Sequence, residues 1–169
     1  LSMLLTAQNV ADRYGISRED QDLFAYQSQQ KCAKALAEGK FKDEIIPIEY
    51  TEGKEQKIFD ADEGPRPGIT MEKLQKLKPL FKDGTVTAGN SCGRNDGASA
   101  VVLMSAQKVK ELGVKPMAKV IASSASGVDP EIMGIGPIPA VRKVLKAAGL
   151  SLEDLDLIEL NEAFASQSL

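Results

Sequence analysis

From Ser99 onward, short apolar runs alternate with helix-patterned stretches, and that alternation constrains the fold more than any average over the chain. Residues 99–104 read as a strand, 106–112 as a helix capped by Ser105, and 119–123 as a second strand. A helix over 139–148 follows. Pro139 sits in its first turn, Gly149 stops it, and Val141, Val144, Leu145 and Ala148 are spaced as a buried stripe. Residues 155–160 form a third strand, and a new helix opens near Glu162. Strand, helix, strand, helix, strand predicts an α/β layered sheet of βαβαβ order.

Before Gly84 the pattern is helical and charged. Thr6, Ala7, Val10, Ala11 and Tyr14 read as a short helix with Thr6 as N-cap and Gly15 as its stop. Ser17 and Asp20 have capping-box spacing, and Leu23, Phe24, Ala33, Leu36 and Ala37 keep helical periodicity up to Gly39. Residues 44–50 and 57–59 are short β-type runs, with Pro47 confining the first to an edge. Two prolines, two glycines and three acids between Asp60 and Gly68 demand a surface loop. Thr70 caps a helix through Leu77, closed by Pro79. The composition shifts between Gly84 and Gly97 to small and turn-forming residues, which marks a boundary.

Composition serves mainly to exclude. With 43% hydrophobic and 27% charged residues the 169-residue chain should fold around one core. A net charge of -3 and the lack of a purely basic helix face argue against nucleic acid or an anionic membrane as partner. The longest apolar runs, 98–104 and 120–122, fall far short of the ~20 residues a membrane helix needs. The chain contains no histidine, so it supplies no Ser/His/Asp triad, Cys/His dyad or His-ligated metal from its own residues. Two cysteines, Cys32 and Cys92, without CxxC spacing, suggest neither a metal site nor a disulfide framework and point to a reducing, cytoplasmic setting. The opening LSMLLTAQNV and an end inside a starting helix lead us to expect an internal piece of a longer protein.

Three segments are candidate sites. Residues 87–97, TAGNSCGRNDG, pack three glycines and two asparagines, which permits close approach of backbone N–H groups to a ligand or simply makes a tight turn. Neither a Walker loop nor GxGxxG is present. Cys92 has three readings, as nucleophile, as ligand lining and as packing; without histidine no base is at hand to activate it. Cys32, mid-helix, reads as structural. Asn161 and Glu162 follow a strand where a helix begins, so Asn161 either faces a ligand crevice or caps the helix. The third segment, 133–139 (MGIGPIP), holds two glycines and two prolines beside the soft side chain of Met133.

Together the strings TVTAGN (85–90), NDGA (95–98), VDP (128–130), MGIGPIPA (133–140) and NEAFA (161–165) resemble the thiolases, the acetyl-CoA C-acetyltransferases and 3-ketoacyl-CoA thiolases. The resemblance runs from about Thr6 to the end. It implies that residues 1–84 belong to a CoA-covering loop domain, 85–117 to the end of the first thiolase half and 118–169 to the start of the second. It implies acyl transfer with a coenzyme A thioester as substrate, no separate cofactor, and a nucleophilic cysteine and a histidine supplied by segments outside this chain, leaving the chain alone inactive. By the same resemblance Asn161 is the catalytic residue, holding a water in an oxyanion hole. Ala163 and Phe164 line the acyl and pantetheine tunnel beside Met133, Arg66 lies near the CoA nucleotide, and Ala88, Ser91 and Cys92 contact pantetheine. Many relatives carry Ser where Cys92 stands, an apolar residue at Arg94 and His-Met-Gly at positions 2–4. Alternatives of other classes are a non-catalytic acyl-CoA or lipid-binding module and a structural interaction domain. Residues 99–104 and 155–160 are candidates for an unpaired edge or bare face, so self-association through residues 97–169, and a homo-oligomer, are expected.

Overall fold

Helix α1 (Met3–Tyr14) begins before the predicted cap. The Ser2 hydroxyl accepts from the Leu5 N–H, while Thr6 is buried inside the helix and donates its hydroxyl to the Met3 carbonyl at 2.8 Å. Gly15, at φ +67°, ends it in the left-handed conformation that only glycine adopts cheaply. Ser17 then caps α2 (Arg18–Ala37) by accepting from Asp20 N–H at 3.0 Å. Its buried face is not the predicted apolar one: Gln21, Asp22 and Ala25 are buried, whereas Leu23 and Leu36 are exposed. The reason is the environment: the Gln21 amide N–H groups and both Asp22 oxygens find hydrogen-bond partners inside, which lets these polar side chains into the core, while Gln21 Oε1 is buried without one.

The computed structural model describes residues 1–169 as two units, Leu1–Gly93 with Asn161–Leu169, and Arg94–Leu160. In the first unit, β1 (Ile48–Glu52) and β2 (Glu55–Phe59) form an antiparallel hairpin with Ile48 opposite Phe59 and Tyr50 opposite Lys57. The first strand sits downstream of its predicted run, because Pro47, lacking an N–H, precedes the ladder; the second begins two residues before its predicted run and ends with it at Phe59, and Gly53 at φ +65° makes the turn. Helix α3 (Met71–Gln75) is capped by Thr70 as expected and stops before Leu77. Its Leu74 is 2% exposed, and the small core gathers Ala7, Val86 and Phe164, with Ala163 packed on it.

Gly89 packs against that core so closely that a Cβ there would stand 2.6 Å from both Leu74 Cδ2 and Leu77 Cδ1. Gly89→Ala is therefore expected to destabilise the fold by about 1–3 kcal/mol through overpacking. Urea unfolding checks this, and a midpoint equal to wild type would show that the leucines move aside freely.

The second unit carries α4 (Ala106–Leu112), capped by Ser105, a 3₁₀ turn at Pro130–Ile135, α5 (Pro137–Ala148) and a 3₁₀ turn at Leu152–Asp154. Helix α5 starts two residues before the predicted Pro139. It is tied down by the Ser124 hydroxyl, which donates to the Ala140 carbonyl at 2.7 Å, and by the Lys143 ammonium on the Ala125 carbonyl. Its predicted stripe is only half covered, with Val144, Leu145 and Ala148 intermediate and Val141 exposed. At Ser151 both the N–H and the hydroxyl donate to Asp154 Oδ2, and these bonds hold the Asp154 carboxyl below its ordinary value.

Helices thus stand where the alternation predicts them, but residues 99–104, 119–123 and 155–160 form no ladder; the one sheet is the β1–β2 hairpin. Val101 and Val102 are 82% and 84% exposed. β-propensity describes a surface that fits beside another strand, and without a neighbour the strand state does not form. The last helix, α6 (Ala165–Ser168), begins after the predicted Glu162 and returns to the first unit. No helix is long and apolar enough to cross a membrane.

Candidate functional site

The TAGN loop is held from below by three side chains that periodicity did not single out. Gln8 Oε1 accepts from the Thr85 N–H at 2.9 Å and the Val86 N–H at 3.1 Å, and its amide donates to Asp12 and to the Thr85 hydroxyl. Gln21 donates to the Ile16 and Ser17 carbonyls and to the Thr85 hydroxyl at 2.9 Å. Asp22, 0% exposed, receives the Arg18 guanidinium on Oδ2 at 2.7 Å and the Asn90 amide on Oδ1 at 3.0 Å. Arg18 in turn donates to the Leu74 and Leu77 carbonyls, so α2, α3 and the loop share one network. The signal available in the sequence was a polar residue set among small buried ones: Gln8 beside Ala7 and Ala11, Asp22 beside Ala25.

The loop then pairs with the NEAF segment. Ser91 and Phe164 form an isolated antiparallel bridge, closed by Ala165 N–H to the Asn90 carbonyl at 3.0 Å and Cys92 N–H to the Ala163 carbonyl at 2.9 Å. Ser166 anchors the far end by donating to the Ala7 carbonyl, and Ser28 on α2 donates to Glu162 at 2.8 Å. Asn161, just outside this bracket, is exposed, and its carboxamide bonds to no other residue. It does not cap α6, whose N-cap is Phe164; the capping alternative for Asn161 is thereby removed.

Ser91, Cys92, Ala163 and Phe164 are thus brought together, with exposed Ala88 on the same loop. The Ser91 hydroxyl gives its proton to the Thr87 carbonyl at 2.7 Å, which leaves its lone pairs as an acceptor. The Cys92 thiol is exposed, Ala163 is half-buried, and Phe164, at 8% exposure, is shared with the core. Arg66 is exposed, and its backbone N–H donates to Gln29 Oε1 at 2.9 Å. Met133 belongs to the second unit and is half-exposed there. Cys32 is half-buried on α2. The arrangement offers a carboxamide donor, a hydroxyl acceptor and a thiol beside exposed backbone, with no imidazole to act as base. No group of three or more thiols and carboxylates is placed to hold a metal ion.

Two family models cover nearly all of the chain, Thiolase, N-terminal domain over residues 1–107 and Thiolase, C-terminal domain over 114–169. The chain belongs to the thiolase family. Among its relatives, an acetyl-CoA acetyltransferase of Allochromatium vinosum is 58% identical over 97% of this chain and 42% of its own length. A 3-ketoacyl-CoA thiolase of Bacillus subtilis is 53% identical over 100% of this chain and 46% of its own. The crystal structure of the Bacillus anthracis acetyl-CoA acetyltransferase superposes with a TM-score of 0.91 at 50% identity, covering 99% of this chain and 43% of the other. Human mitochondrial 3-ketoacyl-CoA thiolase gives 0.90 at 51%, with the same coverage. The thiolase chain therefore spans less than half the length of the relatives it matches, and its α/β class is that of the thiolase fold.

Proposed function

We propose that the full-length protein containing this thiolase chain transfers an acyl group between coenzyme A and a cysteine thiol, making or breaking a carbon–carbon bond next to a thioester. The observation that carries this reading is the bridge between residues 90–92 and 163–165, with the Asn161 carboxamide, two residues before the bridged segment, exposed and uncommitted. In this reading Asn161 holds the water that donates to the thioester oxygen, where preorganised donors act most strongly on developing charge. Ala88, Ser91 and Cys92 contact pantetheine, with Ser91 Oγ as acceptor for an amide N–H. Ala163 and Phe164 line the acyl path, and Arg66 meets the nucleotide end of coenzyme A, its guanidinium free of any ion pair. The nucleophilic cysteine and its base come from other segments of the full-length protein. Residues 1–84 act as the CoA-covering part, 85–117 close the first half and 118–169 open the second.

The test is turnover of acetoacetyl-CoA with free coenzyme A. The full-length protein is expected to produce acetyl-CoA, and the 169-residue chain alone to produce none, because it lacks a base and the family's nucleophile segment. Saturable coenzyme A binding by the full-length protein without turnover would sink the catalytic reading in favour of a non-catalytic acyl-CoA binder. Turnover by the isolated chain would show that the catalytic groups lie within it.

A further inference from the structure

We propose that the buried hydrogen bond between Asp22 and Asn90 is a positioning device for the thioester site, setting the distance between the TAGN loop and the NEAF segment. This rests on the acyl-transfer reading above. Asn90 is 3% exposed and uses every polar atom of its side chain: Nδ2 donates to Asp22 Oδ1 at 3.0 Å and to the Thr85 carbonyl at 3.1 Å, and Oδ1 accepts from the Thr87 N–H at 2.8 Å. Its own backbone carbonyl accepts from Ala165. One residue therefore closes the turn of the loop, ties it to α2 and pairs it with the segment that presents Asn161. Asp22 is itself fixed by Arg18, which α3 holds through the Leu74 and Leu77 carbonyls. Loop, helix and NEAF segment are thus registered through a single residue, loop and helix by its carboxamide and the NEAF segment by its backbone carbonyl. Asn90 faces inward and touches no position assigned to substrate, so it acts through Ala88, Ser91 and Cys92 on one side and Asn161 on the other.

The experiment uses the full-length protein. Asn90→Asp replaces the donor toward Asp22 with a second carboxylate. It is expected to raise KM for coenzyme A about tenfold, the scale of coupling between contacting side chains, with a smaller change in kcat. The double variant Asp22→Asn/Asn90→Asp restores one amide-to-carboxylate bond with its direction reversed, but not the donor to the Thr85 carbonyl or the carboxylate on Arg18, and is therefore expected to recover about half of the KM loss on a logarithmic scale. Amide exchange at Cys92 and Ala165, the two N–H groups of the bridge, should accelerate in Asn90→Asp while that at Val10 in α1 does not. Should Asn90→Asp not fold, Asn90→Ser, which keeps one hydroxyl donor, is read in the same way. An unchanged KM with only a lower Tm, a double variant no better than the single, or unchanged exchange at Cys92 and Ala165 would each overturn the proposal. A wild-type protein that does not turn over acetoacetyl-CoA sinks the acyl-transfer reading instead, and the exchange measurement still decides whether Asn90 sets the bridge.

Discussion

Asn161→Ala in the full-length protein is expected to lower kcat by about 10²- to 10³-fold, the loss that follows removal of one oxyanion donor, with coenzyme A affinity nearly unchanged. The structure makes the result interpretable. Asn161 is exposed and bonds to no other residue, and α6 is capped at Phe164, so alanine removes no intramolecular bond and should leave Tm at the wild-type value. A fall in kcat at constant Tm would then report chemistry and not folding. Steady-state thiolysis beside calorimetric titration with coenzyme A separates the two quantities, and a variant of normal kcat would remove Asn161 from the mechanism.

Asp22→Ala is expected to cost about 3 kcal/mol of stability, the lower end of what breaking a buried ion pair costs. Asp22 is fully buried, and its loss leaves the Asn90 amide without its carboxylate and Arg18 with only the Leu74 and Leu77 carbonyls. The lower end applies because the Arg18 side chain keeps 23% of its surface in water, where solvent screens it. Denaturant unfolding measures the change. A loss below about 1 kcal/mol, the range of exposed pairs, would mean that water reaches the site left by the carboxylate.

What was legible in the sequence was punctuation and motif. Ser17, Thr70 and Ser105 cap helices, and Gly15 and Gly149 end them, because capping is a contact between residues a few positions apart. Thr6 misled for the same local reason: a Thr inside a helix looks like a cap when Ser2, nearer the start, is the one that binds the free N–H. Which face of α2 is buried depended on partners far along the chain. Asp22 meets Asn90 68 residues away, and no window of helical periodicity contains both. The same limit hid the bridge between Ser91 and Phe164, so TAGN and NEAF were recognised as strings without being seen as neighbours. The runs at 99–104, 119–123 and 155–160 have strand composition, but pairing is a property of two segments and cannot be read from one.

The return of residues 161–169 to the first unit has a kinetic side. Ser166 binds the Ala7 carbonyl across 159 residues, and Glu162 meets Ser28 across 134. Contacts of such separation form late, because the loop between them must be closed before any bond rewards it. On a ribosome the helices α1 and α2 emerge long before the segment that completes their unit, with the whole of 94–160 made in between. Until then Val86 and Ala7 lack the Phe164 ring, and the TAGN loop lacks the segment it pairs with. Synthesis therefore holds the first unit open until residues 161–169 arrive, and a chain stalled between Asn90 and Asn161 carries both halves of its polar network and no lid of backbone to close them.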